Sequence, residues 1–330
     1  MQPEINRKTM FPEATMKQVR AWSRGGASDP RVRRMNLITQ LKIGLLYAMF
    51  AGCLAGYRIT GGGLAVQIAG IAVLGLFAIP FLRVFMHSHM HWKIGNGPVR
   101  NFVLDHALSM MFSVQQTGYE LGHWAHHLYD NDFDPRGFPK DLQSTYVFSR
   151  TGKPASMALW GLFYVTVYQF GVQLFHVLNA RKKRVVVGFA GDTLVIAAFH
   201  AGVYTLSSGF YLGVFLPALG IAWAVAAIAL YMMHNLPVDG SRYYHAINCL
   251  DPFFNWFGDN DGYHIEHSLF PGIHPAYLKL ANGLLAPPRD QQIHDNYVIA
   301  GLRVGFARLL GRAERTPGAP APVTPQERAI

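Results

Sequence analysis

The sequence predicts an all-α integral membrane protein whose four transmembrane helices form two hairpins. Its composition gives the first indication, since the chain is 51% hydrophobic and 15% charged, whereas charged residues make up about 25% of a typical soluble domain. The apolar residues are also concentrated in two long blocks. Each block has a short Gly- or Ser-rich break in its middle, as expected for the turn of a helical hairpin.

Each half-block is long enough to cross a bilayer as a helix. About 20 apolar residues, each rising about 1.5 Å, cross a hydrocarbon core about 30 Å thick. The breaks lie at 61–63 (Gly-Gly-Gly) and 207–209 (Ser-Ser-Gly). A pair of soluble helices is disfavoured because runs this apolar leave no polar face for water. The four predicted transmembrane helices are 37–57, 64–85, 185–206 and 210–233.

A further apolar segment, 156–178, is predicted to be an interfacial helix that does not cross the membrane. It is long enough to cross, but Trp160, Tyr164, Gln169 and His176 spread polar or interface-preferring side chains along its length. Such a helix is suited to lie in the plane of the membrane surface.

The distribution of positive charge predicts that both termini are cytoplasmic. The chain carries 29 Lys and Arg and a net charge of +10, yet the two predicted hairpin turns contain a single basic residue, Arg58. The run Arg181-Lys182-Lys183-Arg184 directly precedes a predicted span. Basic residues are retained on the cytoplasmic side, so an integral protein of the cell (inner) membrane is expected, with its basic face next to membrane lipids. Nucleic-acid binding is not predicted, because no recognition motif accompanies the charge.

The chain is predicted to form one membrane-bound domain over residues 37–312. Residues 1–36 are expected to be a cytosolic N-terminal segment. The Pro- and Ala-rich tail, 313–330, is expected to be disordered.

Clustered histidines are the most informative feature of the sequence. The first cluster reads HSHMH at 87–91, where His87 and His91 share one face of a helix while His89 points away. The second reads HWAHH at 123–127, whose three imidazoles lie on one helical stripe. In the third, His264 and His267 repeat the i, i+3 spacing, and His234 ends the last predicted span.

These clusters predict a metal site. Three neutral imidazoles share a helical stripe more favourably when a cation takes their lone pairs, and imidazole is a ligand for iron, copper, zinc and nickel. Eight histidines are too many for one ion and suit two. The clusters can meet only if an even number of spans lies between residues 127 and 264, which is a second reason for 156–178 not to cross.

In these motifs the chain resembles the integral-membrane fatty acid desaturase superfamily, which includes desaturases, hydroxylases and ketolases. The resemblance covers roughly residues 37–285 and rests on HSHMH, HWAHH and NDGYHIEHSLFP at 260–271, in that order. It implies two non-haem irons, held by a helical cap at the cytosolic mouth of four spans, together with O2 and an external electron donor of the ferredoxin, rubredoxin or cytochrome b5 type. The metal ligands that it implies are His87, His91, His123, His126, His127, His234, His264 and His267.

The third cluster departs from the family pattern at Ser268, where a histidine is usual. A hydroxyl is a poor iron ligand, so one metal either loses a ligand or recruits another. His274 is a candidate substitute if the turn before it folds back, and water, Asp261 and Glu266 are other candidates. Asp105 and Asp261 are candidates to orient ligating imidazoles through hydrogen bonds.

The predicted function is a membrane-bound di-iron oxidase that desaturates an acyl substrate, either a fatty acid or a lipid-like molecule. A hydroxylase or ketolase acting on a smaller or more polar substrate is the alternative. Asp192 and His200 favour it, since a fully apolar tunnel does not require ionisable groups inside a span. A metal transporter is disfavoured because its ligands would lie at mid-bilayer rather than at helix ends.

Overall fold

The computed structural model describes residues 11–24, 28–129, 136, 140–145, 155–234 and 246–310. Within them the fold is helical apart from a short parallel strand pair, β1 (Asn248–Cys249) and β2 (Gln292–Ile293). The predicted tail, 313–330, lies outside the described residues. The helices are α1 (Glu13–Arg24), α2 (Pro30–Thr60), α3 (Leu64–His91), α4 (Pro98–Phe112), α5 (Gln116–Tyr129), α6 (Met157–Asn179), α7 (Lys183–Leu206), α8 (Ser208–His234), α9 (Pro252–Phe257), α10 (His264–Leu269), α11 (Pro275–Leu285) and α12 (Tyr297–Leu309).

Five of the described helices, α2, α3, α6, α7 and α8, are long and apolar enough to cross a membrane. Four of them correspond to the four predicted spans, and α6 corresponds to the segment predicted to lie at the interface. The prediction of several long apolar helices, as in an integral membrane protein, is therefore confirmed.

Two helix boundaries differ from the predicted ones. Helix α2 begins at Pro30 rather than at residue 37, because the Asp29 side chain accepts a hydrogen bond from the Arg31 N–H (2.8 Å) and Pro30 suits the first helical turn. Helix α3 continues past residue 85 to His91. The first histidine cluster is therefore part of the same rigid helix as the apolar segment before it.

The core of the bundle lies where α3 and α8 cross. Small residues allow the two backbones to approach closely. In a membrane the hydrophobic effect does not drive helices together, so close packing of this kind stabilises their association. At Gly75 of α3, a Cβ atom would lie 2.9 Å from the carbonyl oxygen of Ala218 on α8. This crossing sets the relative position of His87 and His234, which lie towards the C-terminal ends of the same two helices.

Helix α6 contacts histidine-bearing elements near both of its ends. Near its beginning, the Trp160 indole lies 6.1 Å from the Tyr231 ring, in the last turn of α8. Near its end, His176 lies 3.3 Å from the position that a Cβ of Gly122 would take on α5. The helix therefore runs along the part of the bundle where the histidines are concentrated.

We predict that Gly75→Ala lowers the thermal stability of the detergent-solubilised protein. The added methyl group overpacks the α3–α8 crossing, an effect that costs about 1–3 kcal/mol in well-packed cores. Gly220→Ala on α8 is the matched control, since a Cβ there meets open space. Melting temperatures of the two variants should differ, with the control unchanged or slightly raised because alanine favours the helix over glycine. Equal melting temperatures would show that this crossing tolerates a wider separation.

Candidate metal centre

Five histidines from three helices converge on one point. They are His87 and His91 of α3, His123 and His127 of α5, and His267 of α10, and one nitrogen of each lies within 4.8 Å of all the others. The Nε2 atom of His87 is 3.0 Å from that of His123 and 2.9 Å from that of His267. The Nε2 atom of His91 is 3.0 Å from that of His123 and 3.1 Å from that of His127.

These distances fit nitrogen ligands around a single ion. A first-row metal lies about 2.0–2.1 Å from an imidazole nitrogen, so two such ligands at right angles are about 2.9 Å apart. The Nδ1 atoms of His91 and His123 are buried and have no hydrogen-bond partner in the described part of the chain. An arrangement of lone pairs that face one another in a buried space is unfavourable unless a cation accepts them. The donor set therefore fits a metal ion.

The other three predicted ligands form a second group beside the first. The Nε2 atoms of His234 and His264 are 2.8 Å apart, and the rings of His126 and His234 are centred 4.5 Å apart. The ring of His264 lies 6.0 Å from that of His87 in the first group. The structure thus brings all eight predicted histidines together in two adjoining groups, one of five histidines and one of three.

Burial favours the neutral form of four of these imidazoles. The pKa values of His123, His127, His264 and His267 are held well below the usual range, first by burial and then by repulsion from neighbouring imidazoles. A neutral ring retains a lone pair for coordination, whereas a protonated ring does not.

Two aspartates orient histidines of the centre. The Asp261 Oδ1 atom lies 2.6 Å from Nδ1 of His87, and the Asp141 Oδ2 atom lies 2.7 Å from Nδ1 of His126. A carboxylate at Nδ1 fixes the tautomer and turns Nε2 towards the metal. Asp261 lies where the sequence predicted an orienting carboxylate. Asp141 was not predicted, because no spacing rule distinguishes it from the other acidic residues that follow the second cluster.

A model of the fatty acid desaturase family matches residues 63–296, a region that includes all eight histidines. The chain belongs to the fatty acid desaturase family. It is therefore a member of a membrane oxidoreductase family whose proteins use O2 and act on lipids. A comparison with curated proteins gives no significant match.

Asp105, the other residue predicted to orient a ligating imidazole, does not contact the eight histidines of this family member. It is 3.1 Å from Nε2 of His89 and 2.8 Å from the Lys93 ammonium. His89 also accepts a hydrogen bond at Nδ1 from the Ile94 N–H (3.0 Å). His89 thus points away from the face that carries His87 and His91, as predicted, and Asp105 fixes the end of α3 rather than a clustered imidazole.

The structure does not bring His274 to the centre. Its Nδ1 accepts from the Ala276 N–H (3.1 Å) at the start of α11, and its Nε2 lies 3.1 Å from the side-chain oxygen of Asn36. Burial lowers the pKa of His274 to about 4. Both ring nitrogens are thus occupied by contacts that fix the turn between α10 and α11.

Ser268 lies one turn after His264, on the same face of α10. Its hydroxyl is buried and has no hydrogen-bond partner among the described residues. The missing imidazole is therefore on the side of the three-histidine group, which is the group with fewer nitrogen donors.

The ionisable residues inside α7 are paired with neighbouring helices. Asp192 accepts a hydrogen bond from the Thr117 N–H (2.8 Å). The ring of His200 lies 2.7 Å from the Ser113 hydroxyl and 2.9 Å from the Tyr211 hydroxyl. These contacts join α7 to the end of α4, to α5 and to α8.

We predict that Asp261→Asn and Asp141→Asn each weaken metal binding by about 10- to 100-fold, as removal of an orienting carboxylate does at other sites. Asp105→Asn is the matched control, since its carboxylate contacts His89 and Lys93. Metal retained per chain after dialysis against graded chelator concentrations measures the effect. A loss in Asp105→Asn equal to that in Asp261→Asn would contradict the assignment.

Proposed function

We propose that this protein is a membrane-bound non-haem di-iron oxidase that desaturates an acyl chain, using O2 and two electrons from an external donor. The observation that carries the proposal is the pair of adjoining histidine groups in a chain of this family. In the balanced reaction, a CH2–CH2 unit, O2, two electrons and two protons give a CH=CH unit and two waters. The irons would supply O2 activation and hydrogen abstraction.

The five-histidine group would hold one iron and the three-histidine group the other. Imidazole donors suit iron, whereas thiolates would select other metals or clusters. Because Ser268 provides no imidazole, the three-histidine group leaves more coordination positions for exogenous ligands. Burial of the imidazoles keeps bulk water from competing for these positions, and Asp261 and Asp141 hold the ring orientations.

We further propose that four helices, α2, α3, α7 and α8, cross the membrane and that α6 lies along its surface. His126 and His234 are neighbours, so an even number of crossings must separate them. Helices α7 and α8 supply two, and a crossing by α6 would carry His234 to the opposite face. The contacts of α6 with α8 near one end and with α5 near the other support the same arrangement.

The histidine end of the bundle is proposed to face the cytoplasm, with both termini on that side of the cell (inner) membrane. The basic run 181–184 follows the end of α6 that contacts α5, whereas the turns at the opposite end carry a single basic residue, Arg58. An electron donor of the ferredoxin, rubredoxin or cytochrome b5 type would approach from this basic side.

Metal content and product analysis test the proposal. We expect two irons per chain in protein purified anaerobically, and O2-dependent loss of two hydrogens from an acyl substrate when reduced donor is supplied. His87→Ala, which removes a member of the five-histidine group, should abolish both. Gain of an oxygen atom in the product would instead identify a hydroxylase. Stoichiometric zinc or copper without iron, after metal-balanced expression, would favour a metal transporter.

We predict that Ser268→His strengthens retention of the second iron, because it restores an imidazole one turn after His264. His274→Ala should leave iron content unchanged, since its ring nitrogens bond Asn36 and Ala276. Iron per chain after chelator challenge distinguishes the variants. An iron lost from His274→Ala would show that His274 serves as the replacement ligand.

A further inference from the structure

An apolar cavity opens on the side of the bundle between α3, α8 and α12. Its volume is about 370 Å³, and its walls include Leu76, Phe77, Val225, Ala229 and Leu302. Leu76 and Leu302 are largely exposed, so the cavity opens where the bundle faces the lipid chains. Small-molecule sites commonly have volumes of about 300–1,000 Å³. This volume suits one hydrocarbon chain better than a two-chain lipid.

Arg83 lines the same cavity and is a buried cation with no hydrogen-bond or ion-pair partner among the described residues. Its side chain is 95% buried, since 5% of its surface is exposed. Within the part of the chain that the structure describes, its Nε atom has no hydrogen-bond partner and the guanidinium forms no ion pair. The Tyr119 ring lies 5.9 Å from the guanidinium carbon, which covers the charge on one side without neutralising it.

The groups around Arg83 do not satisfy its charge. Tyr119, Tyr164 and Tyr168 lie near it, but a phenol side chain carries no charge at neutral pH. Asp261 is an acidic residue near it, but it forms no ion pair with Arg83, and one oxygen of its carboxylate contacts His87. A buried, unpaired cation is costly, and ionisable residues in membrane helices usually face a partner or a pathway. A negatively charged ligand entering the cavity would supply the missing partner.

Arg83 also lies close to the metal centre. It precedes His87 by four residues, which is about one turn or 6 Å along α3. It interacts electrostatically with His234 and His264 of the three-histidine group, and Met233, next to His234, forms part of the cavity wall. The cavity and the metal centre therefore share a boundary, with Arg83 on it.

We propose that Arg83 binds the carboxylate of a single-chain fatty acid whose hydrocarbon chain lies in this cavity. Arginine presents a planar pair of N–H donors that matches a carboxylate. The lining positions from Leu76 to Val84 extend about 12 Å along α3, which gives the chain a straight apolar wall. The binding of this ligand at Arg83 does not depend on the proposed function.

Equilibrium binding to the full-length protein in phosphatidylcholine nanodiscs tests the proposal. The probes are a fluorescent conjugated tetraene C18 fatty acid and its methyl ester, at a pH where the acid is ionised. We expect the acid to bind at least tenfold more tightly than the ester. Arg83→Gln should reduce acid affinity to that of the ester and leave ester binding unchanged. Arg58→Gln, at an exposed turn, is the charge-matched control and should alter neither.

A variant that fills the cavity provides an independent measurement. Ala229→Phe keeps Arg83 and should weaken both acid and ester, because the chain loses its space. Equal affinity of the unmodified protein for acid and ester would overturn the proposal even if Arg83→Gln failed to fold. Displacement of the acid by phosphatidylglycerol, but not by phosphatidylcholine, would also overturn it, since Arg83 would then bind an anionic lipid headgroup.

The outcome is separable from that of the proposed function. Binding is measured without donor or O2, and iron content is measured on the same samples. Acid selectivity in protein without iron would support the carboxylate site while contradicting the di-iron oxidase. Desaturation without acid selectivity would do the reverse.

Discussion

The arrangement of this protein depends on holding neutral imidazoles with their lone pairs directed at one another in a buried space. The five nitrogens lie within 4.8 Å of one another. A neutral ring whose N–H is bonded outwards, as His87 is to Asp261, turns its lone pair inwards. A cation that accepts the lone pairs turns this repulsion into attraction. The surrounding helices must therefore be rigid enough to keep the rings together and close enough to exclude water.

The helix packing meets this requirement at each element that carries a histidine. Helix α3 carries its first cluster without a break from the apolar segment, and the close approach at Gly75 sets its distance from α8. Helix α10 is too short to be stable alone. Its Glu266 is fully buried and accepts hydrogen bonds from Asn248 (2.9 Å) and Asn282 (3.0 Å), on the side away from the metal groups. This anchoring directs His264 and His267 inwards.

Charge is used differently on the two sides of the centre. On one side, Asp261 and Asp141 are paired with imidazoles, which adds negative charge where metal cations would bind. On the other, Arg83 lines an apolar cavity and forms no ion pair with any described residue. A carboxylate bound at Arg83 would lie at the boundary of the metal centre.

The sequence alone determined the apolar segments, the eight histidines and the helical face that each shares, because hydrophobic runs and i, i+3 or i, i+4 spacings are local properties of the chain. Asp261 was also found from sequence, since it lies beside the third cluster. Arg83, a charge within an apolar run, was not predicted to have a role. Only the tertiary structure decided that Asp141 pairs with His126, that Asp105 contacts His89, that His274 bonds Asn36, and that the histidines divide into five and three. Each of these depends on which side chains from distant segments come within about 3 Å of one another, and a distance between segments has no local signature in the sequence.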